Sequence, residues 1–540
     1  MKRLAAALAC GLALLSAAPA LALTVLNRGN GAEVKSLDPH FTDGLNEANV
    51  EGDILIGLVT LDPAAAPIPG AATSWSTSPD GRTWTFHLRD HLWSDGQTVT
   101  AADFVFAWQR LLNPGTGAAY AYNLWVVKNA HAISEGKLPA SALGIHAPDD
   151  KTLVVELEHP ASYLPELLTH DTAYPLPRHV LLAKGNAWSN PRNFVGNGPY
   201  VPTQWIANDH ITLVKNPRFY DAAHVRIDVV NYYPTSDSNA ALRRFRTGDL
   251  DTQTPIPLTQ IDWLRRNMPQ ALHTKPYLGL SYISINLRRP PLTDVRLRRA
   301  LNLAIDRETL TQKVLRLGEP PAYSMVPPGV ANYPHGAALD YRALSIPQRI
   351  VKAQWLMQQL GYGPDNHLHL GFETFDEPNN KRVAAVIQSM LRQIWVDLDI
   401  QAVDATVHGR NMQQGNYDIG AASWFADFND ASNFLDLLRR DSGNNYGAYN
   451  NPAFDAALNA AQREPDATKR GVLLQTAEKI ALADYAWIPL RFRTTQDLVQ
   501  PYVKGWVDNP RDFNRTRWLW IEGRPPARCS GLRSRRGDGL

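Results

Sequence analysis

Between residues 347 and 423 two hydrophobic periods alternate along the chain, and no other feature narrows its fold as far. Residues 350–360 carry apolar side chains at helical spacing and stop at Gly361, and residues 367–374 read as a strand. Residues 381–398 return to the helical period through Val383, Val386, Ile387, Met390, Ile394 and Trp395, and 399–403 to a strand. On this reading Met390 and Trp395 are core positions. Residues 417–422 form one more short strand. Helices set between strands in this rhythm imply βαβ units and an α/β fold, because parallel neighbours need a crossover to join them.

The same elements recur on either side. Residues 84–89 alternate large apolar with polar side chains, as a half-buried strand requires. Residues 24–27, 151–157, 211–214 and 227–232 read as further strands, and 46–58 as a helix. Thr100-Ala101-Ala102-Asp103 is a capping box, with Phe104, Ala107, Trp108 and Leu111 on one helical face. Asp294 caps a helix whose inward residues are Val295, Leu301, Ala304 and Ile305; Asp306 caps the next, closed by Gly318. Residues 456–461 and 470–483 supply late helices and 487–490 a short strand. A chain of 540 residues is too long for one ordinary core and divides into two or three domains.

The ends differ from the body. Lys2-Arg3, the apolar run to Leu15 and Ala20-Leu21-Ala22 read as a secretory signal over residues 1–22. The run is short for a membrane anchor and ends in small residues and Pro19. Cys10 lies inside it behind a poor lipobox. Once residues 1–22 are removed only Cys529 remains, so no intrachain disulfide is expected. Residues 523–540, rich in Arg, Gly and Pro, are expected to be disordered. The ends also supply the formal charge of +2: the leader carries two positive charges and the tail a net three, so the body is acidic. Nothing in it suggests a nucleic-acid partner.

One stretch carries candidate chemistry. Ser423-Trp424-Phe425-Ala426-Asp427-Phe428-Asn429-Asp430 follows the strand at 417–422. It sets a carboxylate among aromatics just past a strand's C-terminal end, where open α/β sheets bind ligands. Spacing alone equally allows Asp427 or Asp430 as the cap of a helix suggested by Phe434, Leu435, Leu437 and Leu438. Catalytic patterns are missing from the sequence: there is no H-E-x-x-H, no G-x-S-x-G and no P-loop. The pair His367 and His369 has no acid or cysteine cluster beside it and reads as solvated strand histidines. We therefore expect no enzyme and no cofactor; a secreted hydrolase remains the alternative of another class.

Several blocks carry a resemblance. "WTFHLRDHLWSDGQTVTAADFVFAWQRLL" (84–112), "FVGNGPY" (194–200), "LVKNPRFYD" (213–221), "DVRLRRALNLAIDRETL" (294–310), "ADFNDASNFLD" (426–436) and "YNNPAFDAAL" (449–458) occur in this order. Together they resemble solute-binding protein family 5, the periplasmic oligopeptide-binding proteins of ABC importers. The resemblance implies a two-lobed periplasmic-binding-protein fold of the α/β class, with an extra subdomain on the first lobe. Residues 23–55, 177–278 and 495–522 would form lobe I, 56–176 the subdomain and 279–494 the second lobe. Hinges would lie near 278–280 and near Thr494. The implied function is periplasmic capture of oligopeptides, or amine-bearing peptide-like ligands, for an inner-membrane ABC permease, by a monomer. The alternative within the fold is a receptor for a non-peptide solute.

The resemblance also assigns residues. Asp427 would take the ligand's α-ammonium, and Phe425 and Ala426 would pair with its main chain as an added strand. Trp424 would stand beside the first side-chain pocket. Tyr120, Asp43 and Leu45 fall at further main-chain contacts, and Tyr282 at an aromatic near the pockets. The pattern is broken at other positions. Leu315, Asn380 and Ala421 stand where basic residues would hold a short peptide's carboxylate end. Ala405 replaces a cleft Trp, and Gly279 with Phe425 replaces a pair of joined cysteines. Arg491 or Arg493 is the candidate for a relocated positive charge.

Overall fold

The computed structural model describes residues 23–118 and 120–525, so the expected signal at 1–22 and the tail beyond 525 lie outside the described residues. Ten strands make one mixed sheet: β1 (Val25–Asn30), β2 (Tyr200–Ile206), β3 (His210–Lys215), β4 (Val229–Tyr233), β5 (Thr252–Thr254), β6 (Leu272–Ile285), β7 (Leu368–Phe375), β8 (Val396–Val403), β9 (Ile419–Phe425) and β10 (Trp487–Val499). Their order is β8-β7-β9-β6-β10-β5-β1-β4-β3-β2. β7 pairs in parallel with β8 and β9, and β1 with β4 and β5, as crossover helices demand. Strands Ala72–Thr77, Thr83–Leu88, Ile145–Asp149 and Thr152–Glu156 form a separate antiparallel sheet.

Two long strands join the halves. β6 and β10 run antiparallel through the middle of the large sheet, and every residue from Leu278 to Ile285 is buried. A central strand covered on both faces reads as a continuous apolar run, not as an alternation. Their register breaks between Pro276 and Leu280, opposite Thr494 and Phe492. The apolar core falls into two clusters. One draws on residues from Ala241 to Leu498, the other on Leu26 to Tyr232 with Val499, Val503 and Leu519. The cores thus divide between Tyr232 and Ala241, whereas the strands bend near Leu278.

Several local boundaries depart from the sequence reading: the helix read at 46–58 ends at Ile54, the strand read at 399–403 begins at Val396, and the helix read at 456–461 spans Pro452–Arg463. The helix placed at 381–398 spans Pro378–Arg392; the chain then turns at Trp395, whose φ of 62° no helix accommodates, and β8 begins at once. Val295 is 42% exposed, because Asp294 caps the helix through the Arg296 N–H and leaves Val295 on the outer side of its first turn. The helix after Asp306 ends at Leu315, with Arg316 left-handed, before Gly318 is reached. Lastly, β10 runs for 13 residues where only 487–490 looked like a strand.

Candidate functional site

β9 continues through Trp424 and Phe425, so the loop begins at Ala426 and not at Ser423. The Ala426 N–H donates to the Leu278 carbonyl (2.8 Å), which pins the loop's first residue to the bend in β6. Asp430 turns back into the core. Its carboxylate accepts from the Ser432 N–H (2.9 Å) and hydroxyl (2.6 Å) and pairs with Arg470 at 2.6 Å. Asp430 thus serves the first N–H of the short helix Ser432–Leu435 from one residue before its N-cap, Ala431, and Asp427 is left facing a cavity of about 470 Å³.

Thr42, Asp43, Gly44 and Leu45 line that cavity with Tyr120, Tyr122, His170, Asp171, Tyr277, Ser423, Trp424, Phe425, Ala426, Asp427, Arg511 and Phe513. The structure thus brings Asp427, Trp424, Phe425, Ala426, Tyr120, Asp43 and Leu45 around one space. Tyr282 stands apart. It is 3% exposed, stacks on Trp487 with ring centroids 3.9 Å apart, and borders a smaller cavity of about 30 Å³. Asn380, Ala421, Ser423 and Arg491 border the same small space, whereas Leu315 is buried in the core. Gly279 and Phe425 are cross-strand partners, and a Cβ on Gly279 would lie 2.7 Å from the Phe425 ring.

Residues not singled out from the sequence hold the loop in shape. Asn433 Oδ1 accepts from the Trp424 indole N–H (2.8 Å) and the Asp427 N–H (3.2 Å), and its Nδ2 donates to Asp427 Oδ2 (3.4 Å). Arg511 Nη2 donates to the Asp427 carbonyl (2.8 Å) and Nη1 to the Thr169 hydroxyl (2.9 Å), tying the loop to the other half of the molecule. Asn433 lay within a quoted block, "ADFNDASNFLD", but its role needed the fold of the loop. Arg511 gave no signal, being 84 residues from Asp427.

The electrostatics follow from burial. Loss of water around Asp427 pushes its pKa above the ordinary carboxylate value, against the pull of His170, Asn433 and Arg511. Burial works against the His170 imidazolium, but Asp171 at 2.9 Å and the charge of Asp427 outweigh it and raise its pKa. Burial likewise opposes ionisation of Asp171, yet His170 brings its pKa down to about 2. Asp43 sits at the rim, paired with Lys35 at 2.9 Å. Among the described residues no cationic side chain lies within 4.0 Å of the Asp427 carboxylate. Asp427 therefore presents to the cavity, between aromatic walls, a desolvated carboxylate that has no ion-pair partner in contact among the described residues. Among the described residues no group of three or more His, Cys, Asp or Glu side chains is placed to hold a metal ion.

Two α/β halves joined by a pair of long strands, with a walled cavity at the join, define a two-lobed solute-binding protein. The pattern of the bacterial extracellular solute-binding proteins, family 5 (middle part), matches residues 66–446, and the chain belongs to that family. The periplasmic oligopeptide-binding protein OppA of Salmonella typhimurium is 36% identical over 505 residues, which cover 92% of each chain. The probable deoxycholate-binding periplasmic protein YgiS of Escherichia coli is 35% identical over 505 residues, 92% of this chain and 94% of its own. The unliganded open form of the periplasmic murein tripeptide binding protein MppA superposes with a TM-score of 0.82 at 33% identity, covering 93% of this chain and 98% of its own.

Proposed function

We propose that this chain is a periplasmic, non-catalytic receptor that captures peptides by their α-ammonium and delivers them to an ABC permease. The unpaired Asp427 carboxylate carries the reading. A buried charge without a partner is costly, and a ligand ammonium supplies the partner together with charge-assisted hydrogen bonds. Phe425 ends a strand and Ala426 follows it, so an extended peptide can run alongside as a further strand. The bend of β6 on β10 gives the two lobes a place to hinge shut on the ligand. Periplasmic relatives support the location, and among the described residues no helix is long and apolar enough to cross a membrane.

The relative named for deoxycholate binding favours a second reading, a non-peptide solute. Deoxycholate is an anion without an amine, so it would leave Asp427 unpaired. A thermal-shift screen separates the two readings, because a ligand of the folded state raises the melting temperature by mass action. The panel holds deoxycholate and peptides of two to eight residues, each with a free or acetylated amino end and a free or amidated carboxyl end. Shifts lost on acetylation and kept on amidation are expected. A shift with deoxycholate and none with any peptide overturns the peptide reading. Recovery of the peptide uncleaved, checked by mass spectrometry, is the expected result against a hydrolase.

A further inference from the structure

Arg491 and Arg493 lie on one face of β10, two residues apart, and share a single carboxylate. Arg491 Nε is 2.7 Å from Glu319 Oε2, and Arg493 Nε is 3.0 Å from Glu319 Oε1. The Glu319 side chain is 1% exposed, that of Arg491 9% and that of Arg493 26%. Both Nε atoms and both carboxylate oxygens are buried, and none makes a well-aligned hydrogen bond. Among the described residues no other acidic side chain lies within ion-pair distance of either arginine. Two cations thus divide one anion, and the group carries a net positive charge.

That charge lies next to the main cavity, behind two residues that line it, although neither arginine lines it directly. The Arg493 guanidinium lies 5.4 Å from the Phe425 ring centroid, and its Nη1 donates to the Ser281 hydroxyl (3.2 Å), which bonds the Ser423 hydroxyl (2.8 Å). Phe425 and Ser423 line the main cavity, and Ser423 with Arg491 borders the small one beside it. Phe425 precedes Asp427 by two residues, or about 7 Å of extended chain. A ligand anchored at Asp427 and lying along β9 therefore brings its second or third residue to the arginines.

We propose that Arg493, backed by Arg491, forms an anion-accepting subsite that selects peptides carrying a carboxylate side chain at the second or third position. The inference rests on the peptide reading above. An incoming carboxylate would neutralise the excess charge and gain charge-assisted hydrogen bonds that an amide does not match. Calorimetry with the mature chain tests it, using amidated pentapeptides of alanine with one glutamate or one glutamine at position two or three. The glutamate peptide is expected to bind about tenfold tighter at one of these positions, the scale of one hydrogen bond to a charged group. Arg493→Gln is expected to bring that ratio to about one, and Arg493→Lys to keep part of it. A salt titration of the unaltered protein needs no variant: the ratio is expected to shrink as ionic strength rises. Equal binding of the two peptides, a ratio that survives Arg493→Gln, or one indifferent to salt overturns the subsite. Binding of glutamine peptides without a preference sinks this inference alone, whereas no binding of any peptide sinks the peptide reading with it.

Discussion

Asp427 and Asp430 are three residues apart in one loop and do opposite work. Asp430 is satisfied by Ser432 and Arg470, whereas Asp427 faces the cavity. Removing one partner of a buried charged pair costs about 3–5 kcal/mol. Asp427→Asn is therefore expected to weaken binding of a free-amine peptide by about 3 kcal/mol in titration calorimetry, and unchanged affinity would remove Asp427 as the anchor. The pH dependence has a fixed sign. Burial raises the Asp427 pKa, so as pH falls through that raised value the carboxylate is neutralised and binding is lost. At the other end, binding fades as the ligand's amino group deprotonates near about 8. A bell is expected whose acid limb lies above the ordinary carboxylate range, because burial raises the Asp427 pKa, and that limb is expected to vanish in Asp427→Asn. At this scale the sequence offered the cap and the ligand contact as equals, since both need a carboxylate at a loop-to-helix junction. Only the presence of Arg470 beside Asp430 separates them.

The elements that organise the molecule are β6 and β10, and both were nearly invisible to pattern reading. Burial on both faces removes the alternation that marks a strand, while Pro489 and the polar run Thr494-Thr495-Gln496 break up the apolar signal of β10. The helices and strands of 347–423 were legible because each buries a single face. Gly279 and Phe425 oppose each other across β6 and β9, and opposed antiparallel residues have Cα atoms about 4.5–5.5 Å apart. That spacing suits a disulfide, so the double variant Gly279→Cys with Phe425→Cys is expected to close one on oxidation. The loop it closes is long enough for a gain of up to about 5 kcal/mol in the chain-entropy model. Because Cys529 is also present, one free thiol is expected after oxidation; three, titrated in the folded protein, would contradict this register.

At the scale of the whole molecule, one group of buried charges sits where the halves meet. Lys275 of β6 is 1% exposed and touches Asp497 of β10 at 2.8 Å and Asp512 at 2.7 Å. Burial first, then the neighbouring Asp497, raise the Asp512 pKa to about 7. A carboxyl group whose folded pKa is raised holds its proton more tightly in the native state, so it lends stability that is lost as pH rises through the folded value. Denaturant unfolding is expected to show lower stability at pH 8 than at pH 5, and Asp512→Asn is expected to narrow that difference. An unaltered pH slope in the variant would place the titrating group elsewhere. Ligand closure is a second expectation at this scale: the radius of gyration measured by small-angle scattering should fall on addition of a peptide that raises the melting temperature. By itself the sequence determined the α/β class, the family and the Asp427 block, because period, capping and motif spacing are local properties of the chain. The tertiary structure decided which carboxylate is free, that Tyr282 packs on Trp487, and that Asn433 and Arg511 hold the loop. Those outcomes depend on which distant residues share a space and how little water is left between them, and no local pattern encodes either.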